Sequence, residues 1–221
     1  ESPAEAWSGR PVDDRVAVMR NAAALMRDRR WHLAAWEVFE EGKPWREADA
    51  DVAESIDFLQ YYAGEMARLD PPPRLGRYPG ELNELYWTAR GLTAVIAPWN
   101  FPLAIPTGMV AAALVAGNPV LFKPSERSSA LGYQLVQIML EAGVPKGVLQ
   151  YIPGGPELGR ELVTSAAVRT IAFTGSKDVG LGIMQAAGVQ QPGQRFVKRV
   201  IAEMGGKNAI IVDETADLDE A

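Results

Sequence analysis

The sequence predicts an α/β fold, a doubly wound parallel sheet preceded by N-terminal helices, and three features carry that reading. Apolar residues in the first seventy positions recur at helical spacing. The proline-rich stretch "DPPPRLGRYPG" then ends the pattern, and beyond residue 91 short β-rich runs alternate with helical stretches of ten to fifteen residues. Parallel strands need a long crossover between them, so this alternation signals βαβ units and a sheet covered on both faces.

The elements follow in chain order. From Asp13 to Glu40, Val16, Met19, Ala23 and Met26 fall three and four residues apart on one helical face, with Asp13 and Asp14 placed to cap its start. "EGKPW" breaks that helix. A second begins near Arg46, carries Val52, Ile56, Leu59, Ala63 and Met66 on one face, and ends before the linker. "ELNELYWTARGLTAVIAP" then reads as two strands joined by a turn near Arg90 and Gly91. Strand "LTAVIA" leads to a helix over 104–116, "PVLFK" to one over 128–142, "VLQYIP" to 156–166 and "VRTIAFT" to 176–187. A last apparent strand precedes the helix-favouring "DETADLDEA", and both ends of the chain read as cut from a longer polypeptide.

Composition narrows the function classes. A chain of 221 residues can bury a sizeable core, as one large domain or two small ones. The formal net charge of -6 argues against a nucleic-acid surface or a polybasic membrane anchor and favours small-molecule or protein partners. No run reaches the roughly 20 apolar residues that span a bilayer, and no leader pattern opens the chain, so a cytoplasmic protein is expected. With Cys at 0, these residues supply no disulfide, no thiolate metal site and no thiol nucleophile.

Open parallel sheets bind ligands beyond the carboxyl ends of their strands, so the four strand-to-helix junctions are where chemistry is sought. In "IAPWNFPLAIP" two prolines stiffen the strand exit and leave Asn100 with an amide that can donate to a developing oxyanion or cap the next helix. In "LFKPSER" Lys123 and Glu126 bracket a proline. That carboxylate can accept from ribose hydroxyls, or the two side chains form a surface pair of little energetic weight. "IPGGPELG" offers Gly154 and Gly155 for a tight turn or a close approach. "AFTGSKDVG" sets Thr174, Gly175 and Ser176 at a helix start, where free N–H groups and the dipole suit a pyrophosphate, although the usual GxGxxG fingerprint is absent.

One carboxylate, Glu203, stands inside the largely apolar run "VIAEMGGKNAIIV". An isolated ionised carboxylate is costly to bury, so it is either at an exposed strand end held by Lys198, Arg199 or Lys207, or there for chemistry. His32, the only histidine, lies beside Trp31 and reads as structural. Trp31, Trp36, Phe58, Tyr61 and Tyr62, at helical spacing, read as core or interface.

In this order and on these elements, "APWNFP", "FKPSE", "FTGS" and "EMGGKN" resemble the aldehyde dehydrogenase superfamily, over most of the chain. The segment from "QPGQRFVKR" onward is most similar to the branch that oxidises glutamate γ-semialdehyde. An enzyme for another aldehyde, such as succinate semialdehyde, and a non-catalytic dinucleotide-binding protein of the same fold are the alternatives. In this family a cysteine thiolate attacks the aldehyde, an asparagine side chain and a backbone N–H hold the oxyanion, and hydride passes to the nicotinamide. A glutamate acting as general base then activates the water that hydrolyses the thioester.

The resemblance implies roles for particular residues. Asn100 matches the oxyanion asparagine and Glu203 the base, with Gly205 and Gly206 letting backbone pack close to the cofactor. Lys123, Ser125 and Glu126 match the segment at the adenosine ribose, where a carboxylate favours NAD over NADP. Ser176 matches the residue at the pyrophosphate. Gly155, Phe173, Gly175 and Val179 would line the cofactor, and the backbone at Ile96, Ala97, Pro98 and Trp99 would pass beneath it. Residues 1–70 become an N-terminal helical segment, 71–91 a linker and strand hairpin, 92–203 an NAD-binding domain, and 204–221 the start of a catalytic domain. The family's nucleophile follows the "EMGGK" segment, so this cysteine-free chain is expected to be inactive alone. For the full-length form the resemblance implies a small-molecule aldehyde substrate and a homo-oligomer, with no metal.

Overall fold

The structure, a computed structural model, describes residues 2–220. Its first helix, α1 (Pro3–Ser8), is opened by a capping box in which Ser2 Oγ accepts from Glu5 N at 3.3 Å and Glu5 Oε2 accepts from Ser2 N at 2.8 Å. This helix is too short to show a period, and it buries Trp7, whose Nε1 donates to Leu114 O at 2.9 Å. Three helices follow: α2 (Val12–Asp28), α3 (Arg30–Glu41) and α4 (Trp45–Leu69). The periodicity predicts one helix where α2 and α3 stand. No Gly or Pro marks the break at Arg29 (φ -103°, ψ 14°); it is anchored by tertiary ion pairs, Arg29 to Glu141 at 2.6 Å and Arg30 to Asp49. Pro11 occupies the N-cap of α2, so Asp13 and Asp14 sit inside the first turn and act on the helix dipole rather than as caps.

Five strands form one parallel sheet: β1 (Thr93–Ile96), β2 (Val120–Lys123), β3 (Leu149–Tyr151), β4 (Thr170–Gly175) and β5 (Arg199–Met204), in the order β3-β2-β1-β4-β5. The crossovers are α5 (Ala104–Val115), α6 (Ser129–Ala142), α7 (Pro156–Thr164) and α8 (Lys177–Ala187). Because strand residues alternate faces, Val95, Phe122 and Ala172 enter a cluster with α5 and α6, while Ala94, Ile171 and Phe173 enter another with α7 and α8. Helices therefore cover both faces, as the doubly wound expectation requires. The first cluster continues without a break into α2, α3 and α4, where Val16, Met19, Val52 and Leu59 are buried.

The strand hairpin expected before the sheet does not form. β1 is central, with β2 on one side and β4 on the other, so a strand arriving before it has no edge to pair with. Residues 82–92 instead run without a ladder, apart from an isolated bridge between Arg74 and Glu84, and leave Leu82, Tyr86 and Trp87 exposed. Gly91, at φ 116°, turns the chain into the sheet; its N–H donates to Asn118 Oδ1 at 2.8 Å, and a Cβ there would lie 2.7 Å from Arg169 Cδ. The apparent strand near Ile210 and Ile211 is likewise unpaired and exposed. Among the helical aromatics, Trp36 and Tyr62 pack against the core and Phe58 stacks on Tyr62, but Trp31 and Tyr61 are exposed and not core. His32 accepts from Trp36 Nε1 at 3.2 Å, a local contact within α3.

Acids from the N-terminal helices reach across to the sheet layer. Glu40 accepts from Ala130 N and Leu131 N at 2.7 and 2.8 Å, and Asp51 accepts from Leu103 N and Ala104 N, both at 3.2 Å. Each thus satisfies N–H groups at a helix start that the helix itself cannot. Glu37, fully buried beside Asp51 and Lys43, has its pKa pushed up to about 9, by burial first and then by the Asp51 charge. The unfolded chain ionises this group from its ordinary value of 4.5, while the folded chain holds the proton to about 9. Its contribution to stability is therefore complete below the unfolded value and is lost as pH rises toward 9. Urea denaturation across that window at fixed ionic strength is expected to show a declining unfolding free energy, and Glu37→Gln is expected to flatten the decline.

Candidate functional site

The chain leaves β1 toward β2 on one side and reaches β4 on the other, so the loops beyond β1 and β4 diverge and open a crevice at the carboxyl edge of the sheet. A cleft of about 1120 Å³ lies there. The exit of β1 lines it with Ile96, Ala97, Pro98, Trp99 and Asn100, and the exit of β2 with Lys123, Ser125 and Glu126. Phe173, Gly175, Ser176 and Val179 line it from the end of β4 and the start of α8. Residues far apart in sequence are thus brought to one opening.

Two helix faces that sequence reasoning largely missed make its walls. Pro156, Gly159, Arg160, Val163 and Thr164 of α7 line the cleft, and so do Val179, Gly182, Ile183 and Ala186 of α8. Each set follows the three- and four-residue steps of a single helical stripe. The periodicity was visible, but an apolar stripe reads the same whether it faces a core or a ligand. Gly159 and Gly182 were the available signal, since a glycine inside a helix weakens it and calls for a packing or functional reason.

At the end of β2, Lys123 is 8% exposed and its Nζ donates to Pro124 O at 3.3 Å. Burial draws its pKa down, with the Glu126 charge acting in the opposite sense. Ser125 accepts from Arg127 N at 3.3 Å, capping a short 3-10 turn over Glu126–Ser128. Gly155 is the N-cap of α7 and does not line the cleft itself; a Cβ there would lie 3.2 Å from Glu126 Oε1, so its bareness admits the carboxylate. At the end of β4, a Cβ on Gly175 would lie 2.7 Å from Phe173 Cζ, and only glycine allows that ring to fold against the strand end. Ser176 is the N-cap of α8 and accepts from Val179 N at 3.4 Å, which sets the positive end of that helix at the cleft.

Asn100 is exposed to the cleft, and the capping alternative falls away because the N-cap of α5 is Leu103. Glu203 is not brought into the cleft. It pairs in register with Thr174, and strand alternation sets it on the face opposite Ala202 and Met204, where it is exposed. Lys198, one of the cations that could have held it, is engaged elsewhere, its Nζ donating to Val163 O at 2.6 Å and Ser165 O at 2.5 Å. Gly205 lines the cleft with open space around it, and Gly206 meets only Asn208, so neither glycine is packed against other parts of the protein.

The aldehyde dehydrogenase family profile matches residues 1–221, and the chain belongs to that family. The 1-pyrroline-5-carboxylate dehydrogenase of Geobacillus thermodenitrificans is 49% identical over 216 residues, covering 97% of this chain and 42% of the relative. The crystal structure of 1-pyrroline-5-carboxylate dehydrogenase from Thermus with bound NAD superposes with a TM-score of 0.95 at 48% identity, over 98% of this chain and 42% of that one. Proline utilization A from Bdellovibrio bacteriovorus, inactivated by N-propargylglycine, also gives a TM-score of 0.95, at 52% identity, over 98% of this chain and 23% of that one. The chain therefore spans 42% of the length of the curated relatives it matches. No helix among the described residues is long and apolar enough to cross a membrane.

Proposed function

We propose that this chain is the N-terminal, cofactor-binding part of a cytoplasmic NAD-dependent aldehyde dehydrogenase that oxidises L-glutamate γ-semialdehyde to L-glutamate. Residues 92–203 bind the dinucleotide, residues 1–70 buttress them, and residues from 204 onward lead toward the aldehyde-binding part of a homo-oligomer. The cleft at the switch point carries this reading. Its slot between the α7 and α8 stripes suits a flat base, the exposed Glu126 carboxylate suits ribose hydroxyls, and the start of α8 at Ser176 suits a pyrophosphate. Bound NAD would supply the hydride acceptor. Asn100 would donate to the oxyanion and Glu203 would take a proton from the hydrolytic water. The likeness to 1-pyrroline-5-carboxylate dehydrogenases supports the choice of aldehyde. With Cys at 0, residues 1–221 bind cofactor without completing the reaction.

Calorimetric titration is expected to give saturable heat with NAD and a weaker response with NADP, whose 2′-phosphate would meet the Glu126 charge. Gly182→Phe, which fills the slot between the two helices, is expected to abolish both signals while leaving the circular dichroism spectrum unchanged. Absence of heat with either dinucleotide in the unaltered protein removes cofactor binding from the reading.

A further inference from the structure

We propose that Asp51, with Lys43 and Glu37 around it, is a positioning group for Asn100: a buried cluster in the N-terminal helices sets the loop that presents this amide to the cleft. The inference rests on the reading of Asn100 as the oxyanion donor.

The loop between β1 and α5 belongs to no ladder, so its shape is imposed from outside. Both neighbours of Asn100 carry a cation on their rings, Arg127 at 5.2 Å from the Trp99 centroid and Lys43 at 4.6 Å from that of Phe101. Three residues further on, the two oxygens of Asp51 receive the N–H groups of Leu103 and Ala104, each at 3.2 Å. Lys43 joins these contacts, because its Nζ also stands 3.5 Å from Asp51 Oδ2 and 3.3 Å from Glu37 Oε2. The side chains of Asp51 and Glu37 are both fully buried. One lysine thus couples the anchor at the start of α5 to the ring next to Asn100.

Buried ion pairs give little net stability over an apolar replacement, but they hold a defined geometry, and breaking one leaves an uncompensated charge. An oxyanion donor needs such geometry, since a displacement of about 1 Å at a catalytic group can cost about a hundredfold in rate. Burial, and then the Asp51 charge, push the Glu37 carboxyl up to about 9, so this member of the cluster keeps its proton at neutral pH. Asp51 is not among the residues that line the cleft, so cofactor affinity is not its task.

A double-mutant cycle on the full-length protein tests this. Asn100→Ala is expected to lower kcat by about 10²- to 10³-fold; an unchanged kcat would refute the oxyanion reading, and the positioning role with it. Asp51→Asn is expected to lower kcat by about 10- to 100-fold with the KM for NAD unchanged, and to cause no further loss when added to Asn100→Ala. A full additional loss in that background overturns the positioning role while leaving Asn100 as oxyanion donor. Lys43→Met keeps an apolar stem over Phe101 and removes the charge, and the same absorbed loss is expected from it, so it decides the matter if Asp51→Asn does not fold. Hydrogen exchange is expected to quicken at Leu103 and Ala104 in Asp51→Asn, with β1 still protected; unaltered exchange at both amides counts against the proposal.

Discussion

Replacing Glu203 by glutamine in the full-length protein is expected to lower steady-state turnover by about 10²- to 10⁴-fold, the usual worth of a general base, while the first burst of NADH is retained. Glutamine keeps the size and hydrogen bonding of the side chain but cannot take a proton from water. Glu203 is not among the residues that line the cleft, so NAD affinity is expected to be unchanged. Stopped-flow absorbance of NADH separates the first turnover from the rest. A burst lost together with turnover would show that Glu203 acts before hydride transfer, in conflict with its assignment to the hydrolytic water.

The second large effect is on stability. Phe122→Ala is expected to cost about 3 to 5 kcal/mol, the range for removing a large aromatic from a packed interior. Phe122 is fully buried on β2, its ring centroid 6.3 Å from that of Tyr151, and a Cβ on Gly132 of α6 would lie 3.3 Å from its Cε1. Where α6 meets the ring at Gly132, the helix has no side chain of its own to swing into the vacancy. Each kcal/mol corresponds to about 2 to 4 °C in a chain of this size, so the melting temperature is expected to fall by about 6 to 20 °C. A loss below about 1 kcal/mol would show that the sheet and α6 collapse around the vacancy.

How far the molecule was legible can be followed residue by residue. Val16, Met19, Ala23 and Met26 fell on one face of α2 as their spacing required, because helical burial is a local property of the period. The break at Arg29 was not legible, since its partners Glu141 and Asp49 are distant in sequence. The hairpin failed for a topological reason: "ELNELYW" has strand propensity, but pairing depends on whether β1 has a free edge, and both edges are taken. Most of the candidate site was legible as motifs, because strand exits with Pro, Gly and Ser stand out, whereas the stripes on α7 and α8 looked like ordinary core faces.

By itself the sequence determined the alternation of β1 to β4 with α5 to α8, the doubly wound class and the family, since each depends on local periodicity and on short motifs in order. Only the tertiary structure decided the rest. It showed that Asn100, Glu126 and Ser176 meet at one cleft while Glu203, on the face it shares with Thr174, is not among the residues that line it, and that Asp51 reaches across from α4 to the start of α5. The physical reason is that a periodic pattern says which residues share a face, but not what that face meets. That depends on strand order and on contacts between residues fifty or more positions apart, such as Asp51 with Leu103 and Ala104.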